Sequence, residues 1–296
     1  MAIPTAPNPD HSIPAAPTES DVLQRRKIVV PGRFEFEPTS RWVRGVVGDV
    51  AVVDSRHQIL VWEPGYKVPE YAYPSAHVRT DLLVPSAAPE EERATTHKPS
   101  EAAIKSPSSK DYWRPRWPDV QWFDYVHGGR RIPRAAWKWN VPGLEDFIAV
   151  SWYPGVLDAW YEEDELVHTH PRDPGNRVDV IPSTRHIKVV LDGEVLAEST
   201  SALVLFEHAL PTRFYLPRGD VRLDLLDEVP LVTQCPYKGY TSSYWRRKGT
   251  QRDIAWTYGA PVHQVSAIKD GIAFFNDRVE LIVDGEPFVD SPKVWA

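Results

Sequence analysis

The sequence predicts an all-β protein made of two similar domains, and three observations carry that reading. The segment RWVRGVVGDVAVVDSRHQILVWE (Arg41 to Glu63) returns without a gap as RHIKVVLDGEVLAESTSALVLFE (Arg185 to Glu207), 144 residues later. Asp-Gly pairs flanked by β-branched residues stand where hairpin turns are expected. No segment sustains helical periodicity over three turns, and 29 prolines further disfavour long helices.

A period this long exceeds that of a solenoid repeat and suits a duplicated domain. After a one-residue slip, PSAHVRTDLL (Pro74 to Leu83) matches PRGDVRLDLL (Pro217 to Leu226), and AAWKW (Ala135 to Trp139) matches IAWTY (Ile254 to Tyr258). The 296 residues accommodate two domains of ordinary size, about 100–200 residues each. The two copies act as internal controls. What both carry reads as scaffold, and what one carries alone is a candidate site.

Taken in chain order, residues 1–24 are a Pro/Ala/Ser-rich tail that cannot bury enough surface to offset ordering entropy, so disorder is expected there. RKIVV (Arg26 to Val30) reads as a short strand or latch. The first domain spans 33–174. Its middle holds a polar, low-complexity insertion at about 86–110, expected as an exposed loop. The Pro- and Gly-containing run His170 to Ser183 marks the junction, near Gly175, and the second domain spans 176–296. There HIKVVLDGEVLAES (His186 to Ser199) and VELIVDGEPFV (Val279 to Val289) read as hairpins turning at Asp192-Gly193 and Asp284-Gly285. ALVLF (Ala202 to Phe206) reads as a strand buried on both faces.

Composition excludes several function classes. A net charge of −7 lacks the basic footprint of a general nucleic-acid binder. A single cysteine, Cys235, rules out an intramolecular disulfide and a cysteine-rich zinc site. No apolar run reaches the ~18 residues of a membrane span and no signal-peptide core opens the chain, so a cytoplasmic protein is expected, with no nucleic-acid or membrane partner. Twelve Trp and twelve Tyr favour either an aromatic-stapled core or a concave aromatic site.

The second copy resembles the family called domain of unknown function 427. The resemblance rests on RHIKVVLDGEVLAES, on LFEHALPTRFYLPRGDVRLDLL (Leu205 to Leu226), on CPYKGYTSSYW (Cys235 to Trp245), on DIAWTY (Asp253 to Tyr258) and on GIAFFNDRVELIVDGE (Gly271 to Glu286). It implies two tandem β-tent domains, the first a degenerate member, each of two antiparallel sheets pinned at one edge. Many β-tent relatives bind zinc through paired cysteines. This chain has no such pair, so no metal and no cofactor are expected. The nucleotidyltransferase-like label sometimes given to the family finds no support in a Gly-Ser turn followed by paired aspartates.

The candidate site is drawn from the second copy. Glu63 and Glu207 both follow an apolar strand, where a carboxylate needs a partner. Arg213 belongs to the second copy alone and is expected to pair with Glu207 while clamping a carboxylate or other anion. Cys235 and Lys238, in CPYKG, are the candidate catalytic pair, because a nearby ammonium favours the thiolate nucleophile. A buried cysteine acting as a small hydrophobe is the competing reading. Tyr215, Tyr244, Trp245 and Trp256 are candidate lining residues, with Asn276 offering an amide. The repeated V-R-x-D-L-L (Arg79 with Asp81, Arg222 with Asp224) reads as a same-face ion pair on a strand. His168, His170 and Asp173 read as a solvated linker rather than a metal site. Two functions follow: a pocket that binds or transforms a small polar or anionic molecule, or a non-catalytic interaction module whose Pro-rich tail recruits a protein partner.

Overall fold

In the computed structural model, the described residues are 3, 34–64, 66, 68–87, 115–152, 155–167, 169–208 and 210–290. The N-terminal tail, the RKIVV segment and nearly all of the insertion at 86–110 lie outside them. The chain divides into two compact units, Met1–Asp173 and Pro174–Ala296.

The first unit contains β1 (Glu35–Pro38), β2 (Val43–Val47), β3 (Val50–Ser55), β4 (Ile59–Trp62), β5 (Glu70–Pro74), β6 (Leu83–Ser86), β7 (Val120–His127), β8 (Arg130–Trp139), β9 (Phe147–Val150), β10 (Ala159–Glu162) and β11 (Glu165–Val167). They form a seven-stranded sheet in the order β1-β4-β5-β9-β8-β7-β6 and a four-stranded sheet in the order β11-β10-β2-β3. The pairings are antiparallel.

The second unit contains β12 (Val178–Ser183), β13 (Ile187–Leu191), β14 (Glu194–Ser199), β15 (Ala202–Glu207), β16 (Arg213–Leu216), β17 (Leu226–Val229), β18 (Gln234–Cys235), β19 (Gly239–Arg247), β20 (Asp253–Pro261), β21 (Ile272–Phe274), β22 (Glu280–Val283) and β23 (Glu286–Pro287). Its larger sheet runs β12-β15-β16-β21-β20-β19-β17, with β18 paired to β19, and its smaller sheet runs β14-β13-β22-β23. Apart from β18, both strand orders match those of the first unit position for position.

Why the strands read as apolar runs follows from where their two faces go. In the first unit, Leu60, Tyr71, Tyr73 and Ile148 pack toward Val43 and Val53 of the smaller sheet, filling the inter-sheet core. Their alternates Val61, Ala72 and Ala149 turn to the opposite face and join Phe34, Trp122, Trp137 and Trp139 in a second cluster. The second unit repeats this plan. Ile187, Leu196, Phe214 and Trp245 lie in its inter-sheet core. Leu205, Tyr215, Trp256 and Tyr258 lie on the outer face, under the 3-10 turns of His263–Ile268. A strand with both faces covered loses the polar alternation of an exposed antiparallel sheet.

Two expectations need correction. β15 is not buried on both faces throughout, since Phe206 near its end is 44% exposed. The V-R-x-D motif sits on 3-10 turns, Thr80–Leu82 and Leu223–Leu225, rather than on strands. The ion pairs themselves form as forks. Arg79 donates from Nε and Nη2 to the two oxygens of Asp81, both at 2.7 Å, and Arg222 does the same to Asp224 at 2.8 and 2.6 Å. The Asp-Gly turns adopt the left-handed conformation at both residues, with φ of +52° and +78° at Asp192-Gly193 and +56° and +89° at Asp284-Gly285. That is the signature of the hairpin turn that matches strand twist.

Candidate functional site

The candidate residues gather on the outer face of the second unit's larger sheet. Alternation decides which ones. Phe214 and Leu216 point to the inter-sheet core, so Arg213 and Tyr215 of β16 share the outer face. On β19, Tyr244 points outward and pairs with Trp256 of β20. Trp245, one residue on, is therefore inside: it is 3% exposed, packs in the inter-sheet core and donates its indole N–H to Thr257 at 2.9 Å. The structure does not bring Trp245 to the other candidates.

Glu207 ends β15 and is buried. One oxygen accepts a short hydrogen bond from the Lys238 ammonium and the other accepts from the Asn176 amide at 3.2 Å. This corrects the expected Glu207–Arg213 pair. Lys238 is placed by a tight turn in which its backbone N–H reaches the Cys235 carbonyl at 3.3 Å and its carbonyl accepts from Val262 N at 3.1 Å. The turn needs glycine next: Gly239 has φ +93°, and a Cβ there would lie 2.4 Å from the Ala260 carbonyl oxygen. Burial alone would push the Lys238 ammonium toward neutrality. Electrostatic interaction with Cys235 and the ion pair with Glu207 outweigh it, so the lysine pKa is raised and the side chain stays charged.

Cys235 is a free, partly exposed thiol in β18, whose partner on β19 is Gly239. Tyr215 is 1% exposed and accepts a hydrogen bond from Trp256 Nε1 at 3.2 Å. Burial pushes its phenol up to about 12, against the opposing effects of Lys238 and the Trp256 hydrogen bond. Burial raises the Tyr258 phenol well above its ordinary value. Glu207, Tyr215, Cys235, Lys238 and Tyr258 thus form one electrostatically connected group.

Arg213 lies on the same face, opposite Leu205 of β15. Its guanidinium lies over the rings of Trp256 at 5.3 Å and Phe275 at 5.9 Å and donates to Asn276 Oδ1 at 3.0 Å. Asn276 is fixed by donating in turn to the Thr212 carbonyl at 3.0 Å. Among the described residues the guanidinium has no ion-pair partner, and burial lowers its pKa. Asn276 also provides the polar group in a small apolar recess between the sheets, lined by Val189, Phe214, Leu216, Phe274 and Leu281.

Several neighbours escaped sequence reasoning. Phe275 stacks on Tyr244 with ring centroids 6.4 Å apart and meets Trp256 at 4.5 Å. Arg278 lies over Phe275 at 3.9 Å. The alternation of FFN was the available signal, since Phe274 faces the core and Phe275 must then face outward. Asn176 carried none, being 31 residues from Glu207.

The first unit holds a different set at the equivalent positions. Glu63 accepts from the Trp139 indole N–H at 2.5 Å and from the backbone N–H of Arg116 and Trp117 at 2.5 and 2.8 Å. Burial raises its pKa in spite of these donors. Glu70 is 6% exposed with Oε2 unpartnered among the described residues. Burial and the neighbouring Glu63 raise it to about 8, with Arg116 opposing. Of the histidine cluster, His168 lies outside the described residues, and His170 is buried with Nδ1 2.7 Å from the Pro171 carbonyl oxygen.

Compared with known proteins, the chain has no match among curated sequences. Residues 179–285 match the family model described as NTP_transf_9, domain of unknown function (DUF427). That stretch runs from β12 to the turn after β22 and includes every candidate site residue. Over residues 179–285 the chain is similar to the domain of unknown function 427 family.

Proposed function

We propose that the outer face of the second unit's larger sheet binds a small polar or anionic molecule, with Arg213 as its clamp. One observation carries this reading. Arg213 is half-buried between Trp256 and Phe275, is oriented by Asn276, and has no carboxylate partner among the described residues. A partly desolvated guanidinium held by aromatic faces and a neutral amide is a strong, directional receptor for an anion. Tyr215, Tyr244 and Trp256 form the surrounding wall. The two units are a duplicated pair in which the first has diverged. At the Arg213 position it carries Glu70, which could not serve an anion.

Cys235 is the nucleophile of this proposal, should the site be enzymatic. Lys238 acts on it through charge, since its ammonium is committed to Glu207. A rapid alkylation of Cys235 at neutral pH that slows in Lys238→Ala supports that role. A rate no faster than a free thiol's, unchanged by the substitution, removes it. The binding reading itself is tested by native mass spectrometry of the purified chain. A co-purifying anionic small molecule that is lost in Arg213→Gln supports it.

The alternative, a non-catalytic module, has one observation in its favour. Glu63 in the first unit, which lacks the Cys-Lys motif, is a buried and well-satisfied anchor. Retention of all ligands and partners by the Arg213→Gln, Lys238→Ala double variant would favour this reading.

A further inference from the structure

The anion that Arg213 awaits has a charge that can be argued from its neighbour Arg278. Both guanidinium groups lie against the same ring, Phe275, at 5.9 and 3.9 Å. They are close enough that Arg278 disfavours the charged form of Arg213. The two cations share one exposed carboxylate, Asp277, which pairs with Arg278 at 3.9 Å and favours the charged form of Arg213, and among the described residues no carboxylate hydrogen-bonds either guanidinium. Among the described residues the Arg213 guanidinium donates to the Asn276 amide oxygen alone. Arg278 donates from Nη1 to the Asp253 carbonyl at 2.6 Å, and its nearest carboxylate, Asp277, is 3.9 Å away and 73% exposed. The other acid that acts on Arg213, Asp290, receives both the backbone N–H and the hydroxyl of Thr212 at 2.9 Å. Two like charges held together by an aromatic ring repel each other, and one group bearing two negative charges relieves that repulsion while filling both forks.

We propose that the ligand of this face carries a dianionic phosphate monoester, received by Arg213 and Arg278, the two guanidinium groups that lie over Phe275. This rests on the anion-binding reading above and adds to it the charge of the ligand and a second receptor residue. A carboxylate satisfies one guanidinium fork. A phosphate monoester presents three terminal oxygens and close to two charges at neutral pH, enough for two forks. The remaining part of the molecule would rest near Tyr244 and Trp256, whose rings flank Phe275. Neither arginine touches Cys235 or Lys238 in this structure, so the inference holds for a binding protein and for an enzyme alike.

The experiment is a titration of the full chain, read by tryptophan fluorescence and by calorimetry, with three probes of one size class. Phenyl phosphate is the dianion, methyl phenyl phosphate keeps the phosphorus with one charge, and benzoate is a monoanionic carboxylate. The expected result is that phenyl phosphate binds at least about tenfold more tightly than the other two, as a second charge-assisted contact implies. Arg278→Gln should reduce that preference to about parity, while Arg278→Lys, which keeps the charge and loses the fork, retains part of it. Circular dichroism of each variant separates lost binding from lost folding. If all three probes bind equally and Arg213→Gln abolishes them all, the dianion inference is overturned and the anion site survives. If none binds the native chain, both are overturned.

Discussion

Glu70 and Arg213 occupy the same register position in the two units. Each is the outward-facing residue at the start of the third strand of its larger sheet. Glu70 stands opposite Val61, and Arg213 stands opposite Leu205, which lies 144 residues after Val61. A buried acid in one unit thus corresponds to a half-buried base in the other, at one register position of sheets with the same strand order. The exchange extends to the next outward residue. Ala72 of the first unit is replaced by Tyr215 in the second, and the phenol brings hydrogen-bonding capacity to that position.

Glu70 should make the first unit's stability depend on pH. A carboxyl raised from 4.5 to about 8 is protonated in the folded state and ionised in the unfolded state between those values. The folded state then binds more protons, so stability falls as pH rises from about 4.5 to about 8 and levels off above, by about 1.4 kcal/mol per pH unit for one proton. Glu70→Gln should remove this slope and raise stability at pH 8. Urea denaturation at pH 5, 6.5 and 8 checks it. Parallel pH dependences in the two proteins would contradict the assignment.

Breaking the Glu207–Lys238 pair should be costly. Glu207 is buried and Lys238 largely so, at 5% and 13% exposure, and removing the ammonium leaves Glu207, among the described residues, with the Asn176 amide. Lys238→Met is expected to destabilise the chain by about 3–5 kcal/mol, the usual cost of stranding a buried charge. Replacing both members, Glu207→Gln with Lys238→Met, should recover much of that loss. Chemical denaturation of the three variants gives the coupling.

Gly239→Ala should damage the same motif through the backbone. The left-handed conformation and the 2.4 Å approach to the Ala260 carbonyl leave no room for a Cβ. A loss of about 1–3 kcal/mol is expected from the strain, together with a changed alkylation rate at Cys235 if the turn that presents it shifts. In contrast, Asp81→Asn removes a fork that is exposed on both sides, and the loss should stay within about 1 kcal/mol.

Much of this architecture was legible in the chain because it is written locally. Asp192-Gly193 and Asp284-Gly285 announce their hairpins through the two residues that tolerate positive φ, and the Arg79–Asp81 pair forms as its charges suggest, though on a 3-10 turn and not on a strand face. The site was legible in part. Arg213, Tyr215, Cys235 and Lys238 stood out because the first copy lacks them. The partners were not, because pairing across strands depends on register and not on proximity in sequence. Glu207 and Lys238 are 31 residues apart, with a β-sheet path between them. Trp245 was misread for a simpler reason. Neighbours on a strand face opposite ways, so Tyr244 and Trp245 cannot line one wall. Phe275 carried a signal in its alternation with Phe274, whereas nothing local to Arg278 distinguishes it from an ordinary charged residue in a turn.

The central claim is that Arg213 receives an anion on the outer face of the second unit, and the most direct measurement is a binding titration that compares the native chain with Arg213→Gln. Trp256 and Phe275 lie beside the guanidinium, so tryptophan emission should change as phenyl phosphate is added to the native chain and should stay flat in the variant, with both proteins equally folded by circular dichroism. An emission change of the same size and midpoint in both proteins would contradict the account, because the anion would then be bound without the residue on which the site is built.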